Sequence, residues 1–324
     1  MILGRRLGPA LAGLCTGFLA LCGAAAAQDF DPQEAPFAIE IGGETIPYQS
    51  FFTSVVPEGE LTVALDRDAP AGAYSLVMPE GGAAAFEDGK AVWRAPDAPG
   101  ESREIKVVRE EGGEISLRVF ILQPAGAMDS EGRINGYKIG AYPEEALRGL
   151  DAYSPPAGFV EVTAANMDAR VSPHFTLGQF ICKQQQDHWP KYVILDTRLI
   201  LKLEALMADV NEQGIRTDEF FIMSGYRTPW YNRAIGNTTT YSRHVYGGAA
   251  DVYIDTAPRD GDMDDVNGDG KVTLADAEWM FDRAAALEKD PRYSHLVGGL
   301  GKYDRNAAHG PFLHVDSRGY EARW

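Results

Sequence analysis

The chain has 324 residues and a formal net charge of −17 at neutral pH. Such an excess of carboxylates repels phosphates, so it disfavours nucleic acids and anionic membrane surfaces as long-range partners. The length exceeds what one hydrophobic core usually serves, so two domains are expected.

The first 27 residues have the three parts of a secretory signal peptide. A basic start and a short apolar middle are followed by a run of alanines that ends at Ala27, after which cleavage is predicted. The apolar run is too short to span a bilayer comfortably, which disfavours a membrane anchor. A lipid-modified Cys22 is disfavoured because Leu21 is larger than the small residue that usually precedes such a site. We therefore expect an exported protein of the periplasm or cell envelope, without stable membrane insertion.

Removal of this segment leaves Cys182 as the single cysteine of the chain. It has no partner for an internal disulfide, although the export route permits disulfides. We interpret Cys182 as a buried, small apolar side chain.

Residues 28–124 contain short runs of alternating apolar and polar residues, separated by turns rich in Gly and Pro. These runs predict strands over residues 37–41, 61–65, 74–78, 105–108 and 115–122. Their spacing predicts a β-sandwich of immunoglobulin-like type, although the paired cysteines of antibody domains are absent. No cluster of catalytic residue types occurs here, so we expect a spacer or a binding module.

Residues 125–173 have little periodicity and many Gly and Pro residues. We interpret this segment as a linker whose later part could pack along the next domain. A different pattern follows it, which places the start of a second domain at residue 174.

Residues 174–324 combine predicted helices and strands. Asp196 can cap a helix whose apolar face comprises Leu199, Leu203, Leu206, Met207 and Val210. Strands are predicted over 220–223, 249–254 and 312–316, and a second helix over 274–288. Helices and strands mixed without βαβ regularity indicate an α+β domain.

Two histidines and an aspartate are placed where their side chains can converge. His244 lies in a polar loop, and Asp251 begins an apolar run after a Gly-Gly pair that can return the chain. His314 lies inside another apolar run, where a polar side chain is not needed for solubility. Two imidazoles and a carboxylate form a normal catalytic zinc set with a fourth position open for water. A single histidine in a strand is more often structural, so spacing alone gives modest support.

Three ordered motifs strengthen this interpretation. They are Ser-Gly-Tyr-Arg-Thr-Pro-Trp-Tyr-Asn at 224–232, Ser-x-His-x-x-Gly-x-Ala-x-Asp at 242–251 and Phe-x-His-x-Asp at 312–316. Over residues 175–319 the chain resembles the zinc D-Ala-D-Ala carboxypeptidases and murein endopeptidases, a family grouped with lysostaphin-type peptidases and hedgehog domains. The resemblance implies hydrolysis of an amide in a peptidoglycan stem peptide or cross-link. It also implies that zinc is held by His244, Asp251 and His314.

The same resemblance assigns a role to Arg227. Family members use an arginine at this position to hold a substrate carboxylate or to stabilise the developing oxyanion. A guanidinium suits both tasks because it stays charged and donates a planar fork of hydrogen bonds.

The general base departs from the family pattern. Many relatives have an acidic or histidine side chain two or three residues before the third ligand, where this chain has Pro311 and Phe312. His309 is our preferred candidate because imidazole has a suitable pKa for general acid–base work. Asp316 is the second candidate, since it shares a strand face with His314, but it could equally orient that imidazole. Loss of the base is the third possibility.

Residues 265–276 follow the pattern of an EF-hand calcium loop, with oxygen side chains at positions one, three and five and Gly at six. Position twelve is Asp, as in the dockerin modules that this stretch resembles. Such oxygen-rich sites suit calcium, which we expect to brace an insertion between the metal-bearing strands. The alternative is a solvated acidic turn. The predicted ligands are Asp265, Asn267, Asp269, Lys271 through its carbonyl, Thr273 and Asp276.

The sequence thus predicts an exported zinc peptidase that acts on peptidoglycan. Trimming of a terminal D-alanine and opening of a cross-link are both compatible with the motifs. One alternative is a peptidoglycan-binding protein that has kept the metal and lost turnover. Another is an adhesin or envelope-organising protein in which the sandwich has the main role.

Overall fold

The computed structural model of the chain describes residues 1, 30–256 and 258–324. The predicted signal peptide, with its cleavage after Ala27 and the alternative at Cys22, lies outside these residues except for Met1. Within the described residues, no helix is long and apolar enough to cross a membrane.

The N-terminal part of the chain consists of two β-sheets. Their strands are β1 Glu34–Ile41, β2 Glu44–Tyr48, β3 Ser50–Val55, β4 Glu60–Leu65, β5 Tyr74–Val77, β6 Ala83–Ala85, β7 Lys90–Arg94, β8 Ser102–Arg109 and β9 Glu114–Ile121. One sheet has the order β2-β1-β4-β7 and the other the order β3-β9-β8-β5-β6. Strands β3 and β9 run parallel, whereas the other neighbours are antiparallel. The rings of Phe37 and Tyr74 connect the sheets, with centroids 5.2 Å apart.

The five strands predicted here overlap β1, β4, β5, β8 and β9. The bounds of β4, β5 and β9 agree within one residue, whereas β1 and β8 each begin three residues earlier than predicted. The sequence pattern missed β3 because three consecutive residues of that strand are buried, which removes the alternation of apolar and polar positions. The immunoglobulin-like type of this part stays a prediction.

Residues 125–173, interpreted above as a linker whose later part could pack along the next domain, contain short strands and several buried side chains. The short strands of this region are β10 Gln123–Pro124, β11 Arg133–Ile134, β12 Tyr137–Lys138, β13 Gly158–Val162 and, further on, β14 Lys191–Val193. Strand β13 pairs with both β10 and β14. Tyr137, Tyr153 and Phe159 are fully or almost fully buried. Strands of two to five residues are too short to give a readable period, so the sequence did not reveal them.

The C-terminal part contains the sheet that carries the candidate site. Its elements are α1 Thr197–Glu212, β15 Phe221–Ser224, α2 Pro229–Ala234, β16 Ala249–Tyr253, α3 Leu274–Leu287, β17 Gly299–Tyr303, β18 Phe312–Asp316 and β19 Ala322–Arg323. The sheet order is β15-β16-β18-β17-β19, so β16 and β18 lie next to each other in its interior. Helix α3 packs on β17 and β18.

Helix α1 follows the prediction. Asp196 caps it by accepting a hydrogen bond from the backbone N–H of Arg198 at 3.0 Å. All members of its predicted apolar face are fully buried. The second predicted helix and the three predicted strands correspond to α3, β15, β16 and β18 within one residue. A sheet-dominated α+β organisation is therefore confirmed, and Cys182 is free and buried as expected.

Candidate metal centre

Three side chains from two neighbouring strands and one turn meet at the centre of this sheet. Asp251 of β16 lies directly opposite His314 of β18 in the antiparallel register. His244 lies in the 3₁₀ turn Arg243–Tyr246, just before β16. Gly247 ends that turn with φ +68°, and a Cβ on it would lie 2.3 Å from the carbonyl oxygen of Ile194. Glycine is therefore required where the chain turns back from the first ligand to the second.

The ligand atoms of these residues are close together and shielded from solvent. Asp251 Oδ1 lies 3.2 Å from His244 Nε2 and 2.8 Å from His314 Nδ1. The exposed fractions of His244, Asp251 and His314 are 3%, 5% and 7%. In the described part of the chain, they are the one set of three His, Cys, Asp or Glu residues whose ligand atoms all lie within 4.8 Å. The structure thus brings the predicted zinc ligands together.

Both imidazoles are oriented by an acceptor on the nitrogen that faces away from the set. His244 Nδ1 donates to the carbonyl of Gly225 at 2.7 Å, which directs the Nε2 lone pair to the site. His314 Nε2 donates to Asp316 Oδ2 at 3.3 Å, which directs Nδ1 to the same point. This arrangement is the usual support of metal-binding histidines. Two such imidazoles and a carboxylate fit zinc.

The electrostatics of the buried set keep Asp251 charged. Burial opposes its ionisation, but the charges and hydrogen bonds of His244 and His314 outweigh burial and hold the pKa of Asp251 well below its usual range. Burial lowers the pKa of His244, which favours its neutral, metal-binding form. Burial acts in the same sense on His314, but hydrogen bonds to Asp251 and Asp316 prevail and raise its pKa.

Arg227 lies beside the metal set. Its Nη2 donates to Asp251 Oδ2 at 2.5 Å, and its Nε donates to the hydroxyl of Ser224 at 2.8 Å. The side chain is 15% exposed and lines the cavity described below. The structure therefore places Arg227 near the expected reaction centre, with its guanidinium bound to the candidate ligand Asp251.

Asp316, one of the two candidate bases, supports other residues of the site. Its side chain is fully buried and contacts the imidazole of His314, both Nε and Nη2 of Arg318, and the backbone N–H of Gly299. Burial opposes its ionisation, but His314 and Arg318 prevail and hold its pKa well below the usual range. A permanently charged, fully bonded carboxylate is suited to orienting His314 and not to accepting a proton.

His309, the other candidate base, lies outside the cavity wall. Its Nε2 bonds with the side-chain amide of Asn306 at 2.7 Å, and its Nδ1 bonds with the carbonyl of Gly310 at 2.8 Å. Both ring nitrogens are thus engaged within the loop that precedes β18. The structure does not bring His309 to the metal set.

A cavity of about 860 Å³ opens beside the metal ligands. Several residues of its wall were not identified from the sequence, because they come from separate segments and lie outside the motifs or, as Arg243 does, at a motif position without an assigned role. Arg318 lies beyond the end of β18, and Trp324 directly follows β19. The ring centroid of Trp324 is 5.1 Å from that of His314. The main additions to the site are Tyr153, Arg243, Tyr303, Arg318, Tyr320 and Trp324.

In the predicted calcium loop, backbone N–H groups donate hydrogen bonds to carboxylates of the same loop. The carboxylate of Asp265 accepts from the N–H of Gly268 at 2.8 Å and of Gly270 at 2.7 Å. The carboxylate of Asp276 is buried, accepts from the N–H of Val266 at 3.0 Å, and caps α3. Among the described residues, the loop carboxylates do not form a second convergent set like that of the zinc ligands. The structure therefore does not support the prediction that this loop binds calcium.

A buried set of two imidazoles and a carboxylate, at the wall of a large cavity, defines a candidate zinc hydrolase. The family model described as Peptidase M15 matches residues 173–263, a range that includes Arg227, His244 and Asp251 and ends before His314. This match supports a zinc peptidase related to that family, and the geometry supplies the third ligand. Neither the curated proteins nor the solved structures give a significant match to the chain.

Proposed function

We propose that the chain is an exported zinc metallopeptidase that hydrolyses an amide bond in peptidoglycan stem peptides or cross-links. The observation that carries the proposal is the buried set of His244, Asp251 and His314 at the wall of the cavity. The match to the Peptidase M15 family supports the same reaction class. When bound there, zinc supplies a Lewis acid and an acidified water for attack on an amide carbonyl.

The protein residues divide the remaining tasks. Gly225 and Asp316 fix the two imidazoles through their outer nitrogens, so little reorganisation is needed when the metal binds. Arg227 places a permanent positive charge beside Asp251, where it can stabilise negative charge that develops on the carbonyl oxygen of the substrate. Burial of the set strengthens these interactions, because charges are screened less than in water.

Cross-linked muropeptides, incubated with the purified protein before and after removal of zinc by a chelator, test this function. We expect cleavage products with the zinc-loaded protein, no products after chelation, and recovery of cleavage when zinc is restored. Chromatography with mass spectrometry identifies the bond that is cut. Absence of metal-dependent products would contradict the peptidase function.

A second candidate is a metal-bearing peptidoglycan-binding protein without turnover. The observation in its favour is that His309 bonds within its own loop while Asp316 is fully bonded to its neighbours. Neither predicted base therefore faces the cavity with a free atom. Retained binding of muropeptides without cleavage in the same experiment would support this candidate.

The calcium loop is a separate part of the proposal. We expect calcium to raise the melting temperature of the protein by a few degrees, because an ion that binds only the folded loop stabilises it by mass action. Replacing Asp265 by alanine removes the first loop position and is expected to abolish the shift. Differential scanning calorimetry with calcium and with a calcium chelator measures both effects. An unchanged melting temperature of the wild-type protein would rule out the structural role of calcium.

We also propose that the N-terminal sheets form a sandwich of immunoglobulin-like type. This sandwich serves as a spacer or binding module. Glu44 of β2 lies 3.5 Å from the guanidinium of Arg198 on α1 and 3.7 Å from the imidazole of His295. These contacts join the sandwich to the face of the C-terminal part that carries α1.

A further inference from the structure

Tyr303 of β17 lies on the same face of the sheet as the metal set. In the antiparallel register of β17 and β18, Gly301 lies opposite His314 and Tyr303 lies opposite Phe312. Tyr303 and His314 are therefore diagonal neighbours, which places such residues about 7–8 Å apart and within reach of an aromatic side chain. Tyr303 also lines the cavity, and 36% of its surface is exposed. Its hydroxyl can thus meet a ligand that lies beside His314.

The indole of Trp324 connects this tyrosine with the metal set. A Cβ on Gly301 would lie 2.4 Å from Nε1 of Trp324, so the indole lies directly against the strand where it passes His314. The ring centroids of Trp324 and His314 are 5.1 Å apart. The indole Nε1 donates to the hydroxyl of Tyr303 at 2.6 Å. Glycine is therefore required at position 301, because any side chain there would displace the group that holds the hydroxyl of Tyr303.

Two contacts fix the side chain of Tyr303. Its ring stacks on that of Phe312, with centroids 4.6 Å apart and an angle of 7° between the planes. Its hydroxyl is held by the indole of Trp324 at the other end of the ring. A polar group that is held in place before a ligand arrives needs little reorganisation when it binds that ligand.

The hydroxyl of Tyr303 can still donate its own proton. An indole N–H can only donate, so the oxygen of Tyr303 is the acceptor in their hydrogen bond, which is the bond of this hydroxyl in the part of the chain that the structure describes. Tyr241, also in the cavity wall, donates its proton to the carbonyl of Glu145 at 3.0 Å. Tyr153 and Tyr320 bond with each other and lie outside the sheet. Tyr303 thus combines an available proton with a fixed position on the strand next to His314.

Arg227 and Tyr303 flank the metal set along the sheet. The order β15-β16-β18-β17 places Asp251 and His314 between the end of β15, which Arg227 follows, and Tyr303 of β17. A carbonyl oxygen that gains negative charge accepts a stronger hydrogen bond than a neutral one. A fixed O–H donor at this place therefore stabilises the transition state of amide hydrolysis more than the bound substrate.

We propose that Tyr303 is a further catalytic residue, whose phenol O–H donates a hydrogen bond to the oxygen of the scissile carbonyl as negative charge develops there. Trp324 is the residue that positions it. This inference rests on the proposed peptidase function. The phenol keeps its proton throughout, so this role differs from that of the general base predicted at His309 or Asp316.

Tyr303→Phe removes the hydroxyl and keeps the ring that stacks on Phe312. We expect kcat for cross-linked muropeptides to fall about 10- to 100-fold, the size expected for one hydrogen bond to a charged group, with KM and zinc content almost unchanged. Trp324→Phe, which removes the N–H that holds the hydroxyl, is expected to lower kcat in the same direction by a smaller factor. A change confined to KM in Tyr303→Phe would show equal binding of substrate and transition state and would overturn the proposal.

Tyr253 provides a matched control. It lies on β16 of the same sheet, and its ring stacks on that of Phe221 with centroids 4.7 Å apart. Its hydroxyl donates to the carbonyl of Gly261 at 2.9 Å, and it is not among the described residues that line the cavity. Tyr253→Phe should leave kcat and KM unchanged. An equal fall of kcat in both phenylalanine variants would indicate a general effect on the sheet and would count against a catalytic role of Tyr303.

Calorimetric titration with two substrate analogues separates this inference from the peptidase function. An acetylated tripeptide that ends in two D-alanines is prepared with a phosphinate in place of the scissile amide, and with a methylene-amine in its place. The phosphinate oxygens carry the negative charge that the carbonyl oxygen develops, whereas the methylene-amine lacks this oxygen.

We expect Tyr303→Phe, loaded with zinc, to bind the phosphinate about tenfold or more weakly than the wild-type protein and the methylene-amine with unchanged affinity. This difference supports the inference even if no muropeptide is cleaved. Equal affinity of both proteins for the phosphinate, together with cleavage of muropeptides by the wild-type protein, would reject the inference and leave the peptidase function intact.

Discussion

Replacing His314 by alanine is expected to abolish stoichiometric zinc binding and, with it, metal-dependent cleavage. His314 supplies one of three ligand atoms that converge in a buried site, and no other His, Cys, Asp or Glu of the described residues completes the set. Loss of a direct ligand should exceed the roughly 10- to 100-fold loss of affinity that follows removal of an outer contact. Zinc content after dialysis and competition with a chromophoric chelator measure the affinity. A variant that kept one tightly bound zinc per chain would contradict the assigned ligand set.

His309→Ala is the matched control for this experiment. His309 lies five residues before His314, but its ring nitrogens bond with Asn306 and Gly310 and it does not line the cavity. We expect unchanged zinc content and cleavage close to the wild-type rate. A loss of about 100-fold or more with zinc retained is the size expected for a missing general base. That result would restore His309 to the role predicted from the sequence and would require its loop to move.

The candidate metal ligands could be predicted from the sequence, because each is a polar residue at a position where the surrounding sequence gives no structural reason for one. His314 lies in an apolar strand, and Asp251 lies in the middle of another one, which begins directly after two glycines. Their direct pairing across β16 and β18 is long-range, yet the ordered motifs imply it. Arg318 could not be found in this way. Its importance depends on a cavity wall and on a bond to Asp316, and neither leaves a periodic signal.

The fold shows the same distinction between local and long-range information. Helix α1 has a cap, a regular apolar face and a glycine beyond its end, so its limits could be predicted closely. The segment 125–173 has none of these signals. It becomes ordered because residues such as Tyr142 bond with distant groups, here the hydroxyl of Tyr226 at 2.8 Å and the carbonyl of Val245 at 3.1 Å. Such contacts are set by tertiary packing, which overrides weak local preference.

Replacing Lys202 by methionine is expected to destabilise the protein by about 3–5 kcal/mol, the usual cost of breaking a buried ion pair by removing one partner. Lys202 of α1 is fully buried, pairs with the carboxylate of Glu288 and donates to the backbone carbonyl of Asp316 at 2.8 Å. The variant leaves Glu288 with Arg323 as its remaining charged partner. Because Asp316 orients His314, we also expect weaker zinc binding. Urea unfolding of the zinc-loaded and zinc-free variants measures both effects.

Lys302→Met is the matched control, since Lys302 also pairs with a glutamate, Glu278, but at the surface. An exposed pair contributes about 0–1 kcal/mol, so this variant should unfold almost like the wild-type protein.

The pH dependence of the free energy of unfolding gives a second test of the buried pair. Burial lowers the pKa of Lys202, so below the ordinary lysine value of about 10.4 the unfolded chain binds more protons and stability rises with pH. Lys202→Met should lack this alkaline rise. Equal stability of the two methionine variants would show that the buried pair does not fix the end of β18.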